Sequence, residues 1–264
     1  MTTAMIRVLM MVILVCMTGC ANGYQKFYHS YIEPETLQDV KFLAEGEVPK
    51  VYGTDDPKRD AKIAKSKGYI ALGYSAFNGP MASQQDLISQ ATSLRATMVL
   101  TRSKFAGTRT DTVPLFLPNN KTTYSSGTVT GAYGNANYSG SSTSYGTTVV
   151  PITTEQHRYE QSALYLVKST KKPRYGIFYI DLTPELRSSL ERNTGVLIDT
   201  IIEDSPAFFA NILPGDVLIE MNGTIINNVT FANEFLRTYK GDTAVFKIMR
   251  NGIEKVIEFK IQPI

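Results

Sequence analysis

The stretch Ser205–Gly223, "SPAFFANILPGDVLIEMNG", constrains its backbone more tightly than any other part of the chain. Ser205 suits the N-cap of a helix and Pro206 its first position. Ala207 to Ala210 leave room for barely one turn. Asn211 fits the left-handed residue that ends a helix, a place more often given to glycine. Ile212 and Leu213 are expected to turn inward. Pro214-Gly215 matches the central positions of a type II turn. "VLIEMNG" then reads as a strand running into a tight Asn-Gly turn.

The surrounding chain is long enough to bury such a unit and another beside it. Its 264 residues are 43% hydrophobic and 19% charged, a globular composition sufficient for two modest domains. A net charge of +3 is too balanced to imply a nucleic-acid partner. There are only two cysteines, Cys16 and Cys20.

Both cysteines belong to the N-terminus. One positive charge, Arg7, precedes an apolar run from Val8 to Met17. That run is too short to span a bilayer and fits the core of a secretory signal. It stops at Met17-Thr18-Gly19-Cys20, which resembles the bacterial lipobox. The resemblance implies a signal peptide over 1–19, cleavage before Cys20 and acylation of its sulfur. Cys16 would leave with the signal, so no disulfide is expected in the mature chain. Ala21, in place of the aspartate that retains enteric lipoproteins in the inner membrane, implies an outer-membrane protein facing the periplasm.

Residues 20–50 read as a tether or a sheet edge, with "KFYHSYI" a short strand. From Asp55 the pattern sharpens. "DDPKRDAKIAKSKG" has an acidic start, Pro57 in the first turn, later lysines and a closing Gly68, a short capped helix. "YIALGYSAF" (69–77) is a strand, and "ASQQDLISQATSLRA" (82–96) places Leu87, Ile88, Ala91 and Leu94 on one helical face. "TMVLTRSKF" (97–105) is the next strand, so these elements predict one βαβ crossover. From 119 to 148 the chain is almost wholly Gly, Ser, Thr, Asn, Ala and Tyr, too poor in large apolar groups for a core. Its extended flanks, "TVPLFLP" and "TTVVPITT", leave two readings: a long hairpin or a disordered loop. Tyr124, Tyr133, Tyr138 and Tyr145 are its candidate contacts. "RYEQSALYLVKS" (158–169) alternates and returns to the sheet, and "KSTKKPR" (168–174) marks a boundary.

The quoted signals, taken together and in order, resemble the PDZ domain in its bacterial HtrA/Deg form. "RYGIFYIDLTPELRSSL" (174–190) resembles the family's carboxylate-binding loop, second strand and following helical turn. "TGVLIDTIIEDSPA" (194–207) resembles the next strand, "VTFANEFLRTY" (229–239) the groove helix, and "GDTAVFKIMRNGIEKVIEFKI" (241–261) the closing hairpin. Asn211 departs from the usual glycine. The resemblance implies strand addition: an extended peptide, commonly a C-terminus, pairs with the second strand while its carboxylate sits among backbone N–H groups. Carried over position by position, the peptide-binding candidates are Tyr175, Gly176, Ile177 and Phe178 of the loop and strand, with Asn233 and Leu236 of the helix. Phe235 reads equally as groove or core. An apolar final ligand residue is expected. Lys171, Lys172 and Arg174 read first as a solvated linker and, alternatively, as a source of attraction for its carboxylate.

The expected fold class is therefore α+β. An N-terminal α/β domain over 51–170, with a βαβ unit and the tract 119–148, precedes a PDZ domain over 173–264, a partly open β-barrel with two helices. HtrA proteins are serine proteases, yet no Gly-Asn-Ser-Gly-Gly-like stretch is present, and the only histidines are His29 and His157. There is no HExxH, CxxC or GxxxxGK[ST]. No metal, cofactor or catalytic residue is expected. The leading reading is a non-catalytic, membrane-anchored adaptor or scaffold that binds peptides. The alternative is a structural, self-assembling envelope protein in which the PDZ is a packing module, and an unrecognised enzyme in the α/β domain is a third.

Overall fold

The computed structural model describes residues 22–263. The signal-peptide reading of 1–19 and the lipidation candidate Cys20 lie outside the described residues. The chain divides into two units. One takes residues up to 77, 82–104 and 160 onward, and the other takes 78–81 and 105–159.

The first unit begins with α1 (Gly23–Lys26), capped by Asn22, whose Oδ1 accepts from Gln25 N at 2.6 Å. Asn22 Nδ2 also donates to the Asp86 carbonyl at 3.0 Å. There follow β1 (Tyr28–Ser30), a 3-10 turn at Pro34–Thr36, β2 (Val40–Lys41), β3 (Lys50–Gly53) and α2 (Pro57–Ser66). Next come β4 (Tyr69–Gly79), α3 (Gln84–Ser93), β5 (Met98–Gly131) and β6 (Gly134–Ser169). Both helices start where the sequence places a cap. Asp56 accepts from Arg59 N ahead of Pro57, and Ser83 forms a reciprocal capping box with Asp86.

The strands form one sheet in the order β1-β4-β6-β5-β3, with β2 on β6. β3 and β5 are parallel neighbours, Lys50 opposite Met98. The predicted crossover takes a different form. Gly68 meets Ser169 and Thr97 meets Leu166, so β6 runs against both β4 and β5. β4 and β5 thus run the same way but flank β6 instead of pairing. Period-two alternation explains why the sheet is covered on both faces. On β5, Val99 joins Leu72, Leu87 and Ala91 beneath α3, while its neighbours Met98 and Leu100 join Ala64 of α2 on the opposite face. On β6, Tyr165 and Val167 face the α3 side and Leu166 the α2 side.

The rest of this unit is a second sheet. It comprises β7 (Ile177–Asp181), α4 (Pro184–Ser189), β8 (Val196–Ile201), α5 (Pro206–Phe209), β9 (Val217–Met221), β10 (Thr224–Ile225), α6 (Val229–Thr238), β11 (Thr243–Arg250) and β12 (Ile253–Lys260). The order is β12-β11-β9-β8-β7 with β10 on β9, all antiparallel and open at β7. Two Asn-Gly pairs, Asn222-Gly223 and Asn251-Gly252, take positive φ at both residues and close tight hairpins. Ile198, Leu218, Ile226, Phe246 and Ile248 are fully buried in the core.

The stretch 205–223 folds as its signals dictate, with one exception. Ser205 Oγ caps α5 by accepting from Phe208 N at 3.2 Å, and Asn211 has φ +57°. Gly215 has φ +97°, and Asp216 N donates to the Leu213 carbonyl, closing the turn at Pro214-Gly215. Ile212 is buried, but Leu213 is 42% exposed and does not turn inward. Its place is fixed by its backbone instead: Leu213 N donates to Asp216 Oδ2 at 2.8 Å. Asp216 is itself buried and gripped bidentately by Arg250, with both bonds at 2.7 Å, while Arg250 Nη2 also binds the Asn211 carbonyl.

The second unit is the outer part of the β5–β6 hairpin. The tract 119–148 forms paired strands, so of the two readings left by its composition the hairpin is the one realised. Polar side chains join the arms: Thr112 to Thr153, Asn119 to Thr148, Thr122 to Thr143 and Thr128 to Asn137. Large apolar residues of the arms, including Phe116 and Val149, are exposed.

Two outcomes are expected. Arg250→Met leaves a buried carboxylate without its guanidinium and should cost about 3 kcal/mol in urea unfolding. A loss under about 1 kcal/mol would make the pair peripheral. Replacing residues 120–147 by a short Gly-Ser link should shift the melting temperature by less than about 5 °C, because this part of the arms buries no core.

Candidate functional site

The open edge of β7 is the starting point. β7 pairs with β8 through Ile177–Ile201 and Asp181–Val196, and the sheet order ends there. An uncovered strand edge presents backbone donors and acceptors that another extended chain can pair with. Beside it lies α6, started by Asn228, whose Oδ1 accepts from Phe231 N at 2.9 Å. A cavity of about 420 Å³ lies between them. All six residues expected to line a peptide groove, Tyr175, Gly176, Ile177, Phe178, Asn233 and Leu236, line this one cavity.

Each is held by a specific neighbour. Tyr175 is buried, stacks on Phe246 at 6.2 Å and donates from Oη to the Leu236 carbonyl at 3.1 Å, tying the loop to α6. Burial raises its hydroxyl pKa, Arg174 opposes this, and Tyr239 adds to it. Gly176 has φ +82°, and a side chain there would overlap Ser205. The Tyr175 carbonyl accepts from Ala207 N and the Gly176 carbonyl from Ile202 N, so the loop is anchored on α5 and the end of β8. Ile177 packs toward the core, whereas Phe178 on the other strand face lies under Lys65 Nζ at 3.8 Å. Leu236 is buried and forms the cavity floor, while Asn233 is exposed at its rim.

Phe235 resolves to the core side. It is partly buried in a stack between Phe231 and Tyr239 and does not line the cavity.

Five lining residues, Pro173, Tyr179, Ile202, Arg237 and Pro263, escaped the sequence reading, and two of them carry polar groups into the groove. Tyr179 donates from Oη to Asn233 Oδ1 at 2.7 Å, a hydrogen bond that crosses the groove. Burial pushes its hydroxyl pKa up to about 12. The signal was available, since Tyr179 is two residues from Ile177 and shares its strand face. Arg237 lines the same cavity one helical turn beyond Asn233.

The cavity is basic at the loop end, where Lys171, Lys172 and Arg174 line it. Arg174 Nη2 donates to the Gly241 carbonyl at 2.9 Å, but its Nε is buried and has no hydrogen-bond partner. A buried guanidinium N–H without an acceptor favours an anionic or carbonyl group beside it. Among the described residues no group of three His, Cys, Asp or Glu is placed to hold a metal ion.

Residues 169–261 match the family described as PDZ domain. A probable periplasmic serine endoprotease DegP-like of Pseudomonas putida is 32% identical over 89 residues, covering 33% of this chain and 18% of that protein. The putative serine protease HhoB of Synechocystis is 32% identical over 95 residues, 32% of this chain and 22% of its own length. The chain thus spans about a fifth of the length of these relatives. Among solved structures, the HtrA3 PDZ domain bound to a phage-derived ligand covers 34% of this chain at 19% identity and TM-score 0.30. The HtrA-type protease AlgW with decapeptide covers 38% at 20% identity and TM-score 0.31. The family match does not extend to the α/β region that precedes residue 169. The C-terminal third of this chain is a PDZ domain of the kind found in HtrA proteases.

Proposed function

We propose that this protein is a non-catalytic, lipid-anchored envelope protein that binds extended peptides, above all C-termini with an apolar last residue, by strand addition along β7. The carrying observation is the single cavity that joins the open β7 edge, the loop Tyr175-Gly176 and the groove helix residues Asn233 and Leu236. The basic side chains Lys171, Lys172 and Arg174 that line the loop end support a carboxylate there. The DegP-like relatives are named as periplasmic, which supports an envelope location. The matches to those proteases cover about a third of this chain, and the proposal includes no proteolytic step.

The anchor is assigned to Cys20 by its lipobox. Asn22, two residues on, is already fixed by hydrogen bonds. An acylated Cys20 then leaves at most about 7 Å of chain before the folded α/β domain, which would sit close to the membrane surface. Ala21 favours the outer membrane and a periplasmic face. Among the described residues no helix is long and apolar enough to cross a membrane.

A second reading, self-assembly with the PDZ as a packing module, is favoured by the hairpin, where Tyr124, Tyr133 and Tyr145 are exposed without a core to cover. A chain whose mass in solution falls on replacing residues 120–147, and which selects no peptide, would support it.

Three measurements test the proposal. The full chain should select apolar-ended peptides from a library of free C-termini, and amidating a selected peptide should weaken it at least about tenfold. Asn233→Phe fills the groove from an exposed helix position and should abolish binding while the melting temperature stays within about 3 °C. Unchanged affinity would place the peptide elsewhere. Cys20→Ser should abolish acyl labelling and leave uncleaved precursor, and normal palmitate incorporation would rule out the anchor.

A further inference from the structure

The groove is flanked by a side chain from outside the PDZ domain. α2 belongs to the α/β region, more than a hundred residues before the family match begins at 169. Yet it packs against the PDZ sheet within the same unit. Lys62 Nζ bonds Asp199 Oδ1 at 2.8 Å on β8. The Ser66 carbonyl, at the end of α2, accepts from Glu203 N at 2.8 Å. Between these two ties, Lys65 Nζ stands 3.8 Å from the ring centroid of Phe178 on β7. α2 is therefore held along the β7–β8 edge at both ends of Lys65.

Lys65 is half-buried and forms no close ion pair of its own among the described residues. Its neighbour Lys62 takes Asp199. Burial lowers its pKa, Asp199 opposes this and Lys62 adds to it. A second cavity, of about 370 Å³, lies on this side of Phe178 and is lined by five lysines, among them Lys65 and Lys172, against two acids, Glu203 and Asp204. It shares Lys171, Lys172, Pro173, Phe178 and Ile202 with the groove cavity, so the two adjoin along β7.

Strand geometry says what reaches it. Side chains of an extended chain alternate between opposite faces. Ile177 and Tyr179 face the groove and Phe178 faces Lys65. A peptide paired with β7 that sends its last side chain to Leu236 sends its penultimate side chain to the Phe178 face. The charge balance there favours an acidic one.

We infer that Lys65, with Lys172, forms a second subsite that reads the penultimate residue of the bound peptide and selects aspartate or glutamate, so that the α/β region completes the specificity of the PDZ groove. This rests on the peptide-binding reading of the groove. Lys65 is a specificity residue here and has no part in holding the terminal carboxylate.

The test uses the full chain and a displayed library of peptides ending in valine, with the penultimate residue randomised. The wild type should enrich aspartate and glutamate over asparagine and glutamine at that place by about five- to tenfold. Lys65→Met keeps the stem packed on Phe178 but removes the charge. It should lose that enrichment while binding an asparagine-containing peptide as the wild type does. Lys65→Arg should retain it. Raising salt from about 0.1 to about 0.5 M should shrink the preference without abolishing binding. Equal selection of acid and amide by the wild type, or an acidic preference that survives Lys65→Met, overturns the inference while the groove reading stands. If no valine-ended peptide is selected at all, the groove reading fails and this subsite with it.

Discussion

The contact of Gly176 with Ser205 sets the geometry on which the groove depends. At φ +82° and against the Ser205 side chain, position 176 has no room for a Cβ. That closeness lets the Tyr175 carbonyl reach Ala207 N and the Gly176 carbonyl reach Ile202 N. Ser205 meanwhile caps α5 with its hydroxyl. The loop into β7 is thus braced from behind by one helical turn, and its direction fixes which edge of β7 stays open. The stretch Ser205–Gly223 is the brace of the site; the lining residues come from elsewhere in the chain.

That division explains what the sequence disclosed. Short-range signals are strong wherever a backbone is forced: Pro206 at a helix start, Asn211 and Gly215 at positive φ, Asn222-Gly223 and Asn251-Gly252 in two-residue turns. Each acts within a few residues, so each survives transfer from sequence to structure. The six groove candidates converge because the order of these turns fixes the path of β7 and α6. Leu213 misled for the complementary reason. Its apolar character predicts burial, but a hydrogen bond from its N–H to Asp216 holds the turn whichever way the side chain points. Lys65 was invisible as a groove neighbour, because no local pattern records that α2 lies against β8 more than a hundred residues away.

Residues 22–50 and the hairpin show the limits of hydrophobic patterning in opposite ways. β1 and β2 are three and two residues long, too short for any period, and are placed by pairing with β4 and β6. The hairpin has length but no buried face, so the usual sign of a strand is missing. What remains is backbone pairing, with threonine and asparagine bonds across the arms and the β preference of Thr, Tyr and Val. Such a ladder needs no core to exist, but it leaves apolar side chains such as Phe116 in water. Exposed, paired and apolar is the condition in which a strand gains most by meeting a partner.

The bond across the groove bears on how a ligand would enter. Tyr179 Oη to Asn233 Oδ1 spans the gap that an added strand would occupy beside β7. A single neutral hydrogen bond contributes only about 1 kcal/mol net, whereas strand addition supplies several backbone bonds and buries an apolar terminus. Under the strand-addition reading, entry exchanges this one bond for many. α6 need not unfold to allow it, since the Phe231–Phe235–Tyr239 stack and the Tyr175–Leu236 bond hold the helix from its other sides. Asn233 is exposed and free to turn its amide toward a peptide carbonyl once Tyr179 releases it. Under that reading, one hydrogen bond is what a peptide must break to reach the Leu236 floor beside β7.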